Sequence, residues 1–475
     1  MIAVNCREAG LLANQEQLLY RGLSRWHALA VVVGSIIGTG IYIRPASISQ
    51  LVGSPTLVLV VWMCAGLLSL AGALTYAQLA ALIPRSGGEY AFLSTTLGAF
   101  PAFLFGWMRL TVSVGTCAAM AVAVTVFLSD LVPLGLPWVR LPVPWPHATS
   151  LIDLGPRQLL AVLIIASLAV LNLRGVGHAG RFQAGVTTLK VVGLLGLIVG
   201  VLAFGHAADT SIAAHANNTA SPAGTMAFSA ALLAGMVAFN GWANVAMLAG
   251  EVQDAEQTVP WALLWGILGV IVLYVMVNVA YLYVLPMGDI LTANSAAYPT
   301  ASSVASRAAL AALGPRVGVV LPILFMVSAL GTLHCNLMAV PRVFYAMAQD
   351  GLMPAALGRV EPTARTPAAA ILTVAFIGAV LAMVGSYDRL SSMATFGNLL
   401  FFALNAWGLI QWPVGKKTSI RHGIARSIPW IFLAGSMWLL VTVVARGSVE
   451  IVWALVLIGA GVPVYLGIRT ARRGR

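Results

Sequence analysis

The sequence predicts an all-α polytopic membrane protein with twelve transmembrane helices, of which the first and the sixth are discontinuous. Three observations support this prediction. The 475-residue chain is 60% hydrophobic and only 8% charged, with a mean hydropathy of +0.93, whereas soluble domains are about 45–50% apolar and about 25% charged. Its apolar residues form twelve windows of about 20 residues, the length that crosses a bilayer. Two of these windows contain glycine and asparagine near their centres.

The windows place the predicted spans in order along the chain. They cover residues 26–50, 56–82, 92–129, 157–173, 182–204, 225–249, 259–285, 317–347, 367–384, 389–412, 428–445 and 448–468. The predicted organisation is a cytoplasmic N-terminal segment (1–25), a first repeat of helices 1–5 (26–204), a second repeat of helices 6–10 (205–412), helices 11–12 (413–468) and a basic cytoplasmic tail (469–475).

The distribution of basic residues predicts the orientation. Of the 26 Lys and Arg residues, 17 fall on the side of the N-terminus and 6 on the opposite side, and Arg44, Arg109 and Lys190 lie within spans. Cytoplasmic loops carry the excess of positive charge in membrane proteins. We therefore expect both termini in the cytoplasm and a location in the cytoplasmic (inner) membrane. The net charge of +12 does not indicate nucleic-acid binding, because it is spread over short loops.

The first span contains the sequence VVVGSIIGTGIYIRP, with Gly34, Gly38 and Gly40 within seven residues. Each glycine costs a helix about 1 kcal/mol relative to alanine. Irregular backbone is tolerated at membrane depth only where it faces protein or a water-filled cavity. A break here would begin a second half-helix, whose N–H groups attract a carboxylate. A small-residue packing face of the GxxxG type is the alternative interpretation of the same residues.

The sixth span contains a second interruption, Phe239-Asn-Gly-Trp-Ala-Asn244. The first and sixth spans hold corresponding positions if spans 1–5 and 6–10 are inverted repeats. Paired interruptions at corresponding positions of two halves indicate a transport site. This correspondence favours a functional break over a packing face in the first span.

Charged residues within spans are candidate functional groups, because each is costly at the bilayer centre. For each of them a structural role is the alternative: Arg44 would extend to the external interface, Arg109 would pair with a neighbouring helix, and His334 would be a hydrogen-bonded core residue. All 14 acidic residues fall in predicted loops or at span ends. With no carboxylate expected at depth to pair with a cation, the sequence disfavours polyamines and cationic amino acids as substrates.

Other residue types predict no catalytic or metal chemistry. The spans contain no HExxH or GxSxG motif and no clustered carboxylates, so no enzyme activity is expected. The four cysteines have no metal-ligand spacing. We expect no cofactor and no metal ion.

Several motifs together carry a resemblance to a known family. GSIIGTGIYIRP, GALTYAQLAALIPRSGGEYAF, NGW followed by GEVQDAEQTVP, and PRVFYAMAQDGLMP occur in this order between about Trp26 and Leu466. Their succession resembles the amino acid–polyamine–organocation superfamily, and within it the L-type amino-acid transporters, which include bacterial relatives of heteromeric transporter light chains. The resemblance implies the LeuT-type fold of five plus five inverted repeats.

The resemblance also implies the residues of a substrate site. Backbone N–H groups of Thr39, Gly40 and Ile41 would bind the substrate carboxylate, and the carbonyls of Ile36 and Val237 would receive its ammonium group. The side-chain pocket would be formed by Asn240, Ala243, Asn244 and Asn398. Lys190 matches a lysine of the fifth span in relatives and would couple the conformational cycle, or it would merely reach the cytoplasmic headgroups.

The implied function is secondary transport of neutral L-amino acids by alternating access, through exchange. Proton-coupled uptake and a non-transporting sensor of the same fold remain open. The expected partners are neutral L-amino acids and the lipid bilayer. The loop at 130–156 contains no cysteine, so we expect no disulfide-linked heavy chain. Departures from relatives at Val237, Asn240, Arg44 and Arg109 leave the preferred side chain open.

Overall fold

The computed structural model describes residues 19–145, 148–208, 224–298, 301–384, 387–412, 426–447 and 449–473. Residues 1–18 of the predicted N-terminal segment, residues 413–425 and residues 474–475 of the predicted tail lie outside the described part of the chain. The principal helices are α1 (Arg25–Ile36), α2 (Gly40–Val52), α3 (Pro55–Leu82), α4 (Glu89–Thr96), α5 (Ala99–Met108), α6 (Val114–Ser129), α7 (Pro156–Leu173), α8 (Val176–Phe204), α9 (Thr225–Ala238), α10 (Asn244–Met247), α11 (Ala255–Val284), α12 (Met287–Leu291), α13 (Val304–Leu313), α14 (Val320–Gln349), α15 (Ala368–Val384), α16 (Tyr387–Gln411), α17 (Ile428–Ala445), α18 (Val449–Gly459) and α19 (Gly461–Arg473).

Long apolar helices dominate the described residues. Nine of the described helices are long and apolar enough to cross a membrane, and a tenth span results when α1 and α2 are counted as one bent pair. The predicted sixth and ninth spans correspond to the shorter apolar helices α9 and α15. These twelve segments match the predicted spans in order. The connection between α6 and α7 also contains an antiparallel hairpin of β1 (Val139–Trp145) and β2 (Ala148–Leu154).

The first span is discontinuous, as the glycines predict. Helix α1 ends at Ile36, α2 begins at Gly40, and their axes differ by 41°. The backbone turns where the N–H of Gly38 donates to the carbonyl of Ile36 (2.8 Å). The break therefore leaves both helix ends inside the bundle.

The sixth span is also broken at the predicted place. Helix α9 ends at Ala238, residues 239–243 form turns, and α10 follows. Gly241 has φ of +119°, a conformation that glycine adopts without the steric cost of a side chain. The fixed position of this glycine explains why the interruption falls here and not elsewhere in an apolar helix.

Several predicted boundaries differ from the structure. The fifth span begins at Val176 and not at residue 182. The third span begins at Ala99 and not at residue 92, because the separate helix α4 precedes it; a π-helical turn at Arg109–Ser113 joins α5 to α6. The seventh span begins at Ala255, which places Pro260 inside the helix, past the first turn. The last span is divided between α18 and α19.

The face of the bundle at which α1 begins is called the N-terminal face here. At this face Arg342 of α14 makes a buried ion pair with Glu251, with Nε and Oε2 separated by 2.7 Å. Both side chains are fully buried. Next to this pair, Leu23 and Val252 form a parallel backbone bridge, in which the N–H of Leu23 donates to the carbonyl of Glu251 (3.0 Å). These contacts join the segment before α1, the segment after α10 and helix α14.

Replacing Arg342 with methionine is expected to destabilise the protein by about 3–5 kcal/mol, because Glu251 would remain buried without its partner. The measurement is the thermal unfolding midpoint of the purified protein in detergent. Arg85→Met is the control, because the ion pair of Arg85 with Asp350 is about a quarter exposed and longer, at 3.4 Å, and such pairs contribute about 0–1 kcal/mol. Equal shifts in the two variants would contradict the assigned role of the buried pair.

Candidate functional site

The two helix breaks contact each other through their glycines. A Cβ atom at Gly40 would lie 2.9 Å from the Cα atom of Ala238, at the end of α9. A Cβ atom at Gly241 would lie 2.7 Å from the carbonyl oxygen of Ser35, near the end of α1. Real Cβ atoms do not approach other atoms so closely. Each break therefore needs a glycine where it meets the backbone of the other.

Aromatic side chains hold this junction in place. The hydroxyl of Tyr274 in α11 lies 3.0 Å from the carbonyl of Ile36 and 3.3 Å from the carbonyl of Ala238, so it can donate to either break. Trp242, which lies within the sixth-span turns, stacks on Phe402 at a centroid distance of 5.0 Å. These contacts fix the backbone of both breaks against neighbouring helices.

The start of α2 presents backbone donors at the break. Gly40 and Ile41 are its first two residues, and the first N–H groups of a helix have no acceptor within it. The N–H of Tyr42 is already bound to the carbonyl of Thr39 (3.2 Å). The positive end of the helix dipole lies at the same point and favours an anion there.

A cavity of about 90 Å³ lies beside the break. Among the residues proposed from the sequence, those that line it are Ile36, Thr39, Gly40, Val237, Asn240, Ala243, Asn244 and Asn398. The tertiary structure thus brings parts of three predicted spans, the first, sixth and tenth, to one cavity. The side chain of Ile41 is buried and does not line the cavity, so only its backbone could take part.

Lys190 lies behind the break and not in the cavity. Its Nζ donates to the carbonyls of Gly34 (2.7 Å) and Ile37 (2.8 Å), and lies 3.4 Å from Oγ1 of Thr332 in α14. The side chain is fully buried. It therefore binds carbonyl groups that the end of α1 leaves without helical partners, and it does not extend to headgroups, the alternative that the sequence had left open.

Arg109 and Glu89 are both part of the cavity wall. The guanidinium Nη2 of Arg109 lies 3.8 Å from Oε2 of Glu89 and 3.5 Å from Oδ1 of Asn244. The sequence placed Glu89 in an ordinary loop and expected no carboxylate at depth; that expectation was wrong. The preceding Gly88 has φ of +51°, and a Cβ there would lie 2.7 Å from the backbone nitrogen of Met247. The Gly-Gly pair directly before Glu89 was the sequence feature that could have indicated its buried position.

The two other candidate charged groups have different surroundings. Arg44 is partly exposed and also lines the cavity, so its position is not limited to the membrane interface. His334 is fully buried, and its Nδ1 lies 2.8 Å from Oε1 of Gln183 in α8. This contact agrees with the hydrogen-bonded core residue expected from the sequence.

A second cavity, of about 450 Å³, lies on the other side of Thr39. Thr39 lines both cavities, and the wall of the second includes Phe127, Asp130 and Phe325. Asp130 is at the end of α6, opposite the N-terminal face. Both cavities therefore border the first-span break at Thr39.

Comparison with known proteins gives a consistent result across the chain. The family model described as amino acid permease matches residues 23–464. The serine/threonine exchanger SteT of Bacillus subtilis is 28% identical over 448 residues, which cover 93% of this chain and 95% of that protein.

Two human proteins show a similar level of identity. The large neutral amino acids transporter small subunit 2 of Homo sapiens is 28% identical over 450 residues, 93% of this chain and 79% of that protein. The cystine/glutamate transporter of Homo sapiens is 28% identical over 395 residues, 82% of this chain and 74% of that protein.

Alanine at Gly40 or Gly241 is expected to destabilise the junction of the two breaks, because the added methyl group would overlap the backbone at Ala238 or Ser35. We expect a lower thermal unfolding midpoint in detergent for each variant, with a loss of about 1–3 kcal/mol. Gly269→Ala is the matched control, since a Cβ at Gly269 of α11 meets no atom within 4 Å. Wild-type stability in both junction variants would disprove the close contact.

Proposed function

The chain belongs to the amino acid permease family of the amino acid–polyamine–organocation superfamily, and we propose that it exchanges neutral L-amino acids by alternating access. The observation that carries the proposal is the pair of joined helix breaks, which presents the N–H groups at the start of α2 to the cavity. Discontinuous helices with this polarity bind anionic substrate groups in secondary transporters. The protein is proposed to act as a carrier and not as an enzyme.

The substrate backbone is assigned to the two breaks. Its carboxylate would accept hydrogen bonds from the N–H groups of Thr39, Gly40 and Ile41, at the positive end of α2. Its ammonium group would donate to the carbonyls of Ile36 and Val237. The carbonyl of Ile36 already lies within hydrogen-bond distance of the hydroxyl of Tyr274 (3.0 Å), so ammonium binding would reorganise this contact. The side chain would lie among Asn240, Ala243, Asn244 and Asn398.

The charges of the cavity support a neutral substrate. Glu89 is a carboxylate in its wall, but Arg109 pairs with it at 3.8 Å. The pair has no net charge, so a cationic side chain meets no uncompensated carboxylate there. Arg44, the third charged residue of the wall, is partly exposed, and solvent screens exposed charges. Two relatives are named for serine and threonine and for large neutral amino acids, and a third is named for cystine and glutamate.

The proposed orientation places the N-terminal face in the cytoplasm of a bacterial cell, with the protein in the inner membrane. In this orientation the Glu251–Arg342 pair closes the cytoplasmic side, and the larger cavity beyond Thr39 is the external approach to the site. Alternating access would then require the Glu251–Arg342 contact to open as the external cavity closes. Exchange follows if both movements need a bound substrate.

Transport by proteoliposomes is the direct test. With the purified protein, we expect labelled neutral L-amino acids to enter vesicles preloaded with unlabelled neutral L-amino acid faster than empty vesicles. Amines that lack the carboxylate are expected not to compete, because they cannot bind the N–H groups of α2.

Three results would contradict parts of this proposal. Stronger competition by arginine, lysine or putrescine than by serine, alanine or leucine would exclude a neutral substrate class. Uptake into empty vesicles driven by an imposed proton gradient would favour proton-coupled uptake over exchange. Binding of an amino acid without any flux would favour a sensor of the same fold.

Lys190→Ala is expected to reduce exchange at least tenfold. The substitution leaves the carbonyl of Ile37 without this partner, and the carbonyl of Gly34 with only the long contact (3.4 Å) to Oγ1 of Thr332. An unpaired buried group costs about 1–3 kcal/mol. We propose that Lys190 couples movement of α1 to α8 and α14 through these contacts.

The control is Thr188→Ala on the exposed face of α8, where the hydroxyl donates only to Ala184 of its own helix. It is expected to keep the wild-type exchange rate. A wild-type rate and an unchanged pH dependence in Lys190→Ala would show that the lysine does not couple transport.

A further inference from the structure

We propose that Arg109 and Glu89 are the specificity-determining residues of the cavity, and that they select uncharged side chains bearing both a hydrogen-bond donor and an acceptor. Such side chains end in a hydroxyl or a small carboxamide. The inference rests on the proposed function, because it assigns the part of the same site that receives the substrate side chain.

The two residues come from separate elements that converge on the cavity. Arg109 begins the π-helical turn between α5 and α6, and Glu89 is the first residue of α4. Single π turns within α-helices occur frequently at functional sites. Arg109 is 6% exposed and Glu89 1% exposed. Both nevertheless line the cavity, so a molecule bound there can reach them.

Their hydrogen bonding is incomplete. The hydroxyl of Tyr76 donates to Oε1 of Glu89 (3.1 Å), and Nη2 of Arg109 lies 3.3 Å from the sulfur of Met247 and 3.5 Å from Oδ1 of Asn244. Within the part of the chain that the structure describes, Nε of Arg109 and Oε2 of Glu89 have no hydrogen-bond partner. Nη2 of Arg109 and Oε2 of Glu89 are 3.8 Å apart, which is too long for a direct hydrogen bond. Buried polar groups in native proteins nearly always have partners. This donor and this acceptor are inaccessible in the present state, so they are left for a ligand whose binding separates the pair.

A side chain with both functions complements this arrangement. A hydroxyl can donate to the Glu89 carboxylate and accept from the Arg109 guanidinium, and the NH2 and C=O of a carboxamide can do the same. A methyl group in the same place would keep both charged groups unpaired and exclude water from them. A carboxylate side chain would meet Glu89 with like charge, and an ammonium group would meet Arg109 with like charge.

The size of the cavity restricts the class further. At about 90 Å³ the cavity is much smaller than the roughly 300–1,000 Å³ typical of ligand pockets, which favours short side chains. Serine, threonine and asparagine have short uncharged side chains that carry the required groups.

The test uses isosteric substrates in exchange by proteoliposomes that contain the full-length protein. Threonine and valine differ only by a hydroxyl in place of a methyl group, and asparagine and leucine have the same branched shape. Hydrogen bonds to charged groups contribute about 1.5–3 kcal/mol, so we expect threonine to exchange about 10- to 150-fold faster than valine. Asparagine is expected to exceed leucine by a similar factor.

A double variant then tests the two residues. Glu89→Leu/Arg109→Met replaces both charges with apolar groups of similar length, which avoids a single unpaired charge. The threonine-to-valine ratio is expected to fall at least tenfold. The ratio does not depend on how much active protein each preparation contains. Arg85→Gln/Asp350→Asn is the control. It removes another arginine–carboxylate ion pair, at 3.4 Å, whose residues do not line the cavity. This variant is expected to keep the wild-type ratio.

Either of two results would overturn this assignment without contradicting the proposed function. A wild-type threonine-to-valine ratio near one would do so without any variant, even if the double variant cannot be purified. A double variant that exchanges all substrates more slowly but keeps the wild-type ratio would show that the pair is only structural. Failure of the wild-type protein to exchange any amino acid would instead disprove the proposed function, and this inference with it.

Discussion

The interior of this protein depends on how it satisfies the backbone groups released at the first-span break. The carbonyls at the end of α1 would be unpaired in an apolar bundle, where each lost partner is costly. Nζ of Lys190 binds two of them, at Gly34 and Ile37. With these carbonyls bound, the N–H groups at the start of α2 give the break its polarity beside the cavity. The direction of this polarity sets the chemistry of the cavity.

The second consequence of the break is its contact with the sixth span. Gly40 meets Ala238 and Gly241 meets Ser35 at distances that permit no Cβ atom. Neither helix can shift far at this level without carrying the other. Lys190 adds a link from α8 and approaches Thr332 of α14. A ligand that binds between the breaks would therefore act on four spans at once, which in the proposed function couples substrate binding to a change of access.

The Arg109–Glu89 pair in the cavity wall has no net charge, but its hydrogen bonding is incomplete. Arg109 and Glu89 compensate each other's charge, yet each retains an unused hydrogen-bonding atom in the described structure. A buried pair of this kind contributes little to stability compared with well-packed apolar residues. Because the pair lies in the cavity wall, it would discriminate between substrate side chains. A site built to hydrogen-bond a hydroxyl strongly rejects an analogue without one. The helix breaks would recognise the common amino-acid backbone, and this pair would distinguish side chains.

The sequence by itself determined the number and order of the spans and the places of both breaks. These features follow from local properties: apolar length, and glycine or asparagine inside an apolar window. It placed Lys190 within the fifth span but left its role open between coupling and reaching the headgroups. Only the tertiary structure showed that Glu89 belongs to the cavity, because its position depends on the packing of the Gly87-Gly88 turn against Met247. Which charged residues meet depends on how helices that are distant in the chain pack together. A local sequence pattern carries no information about that packing.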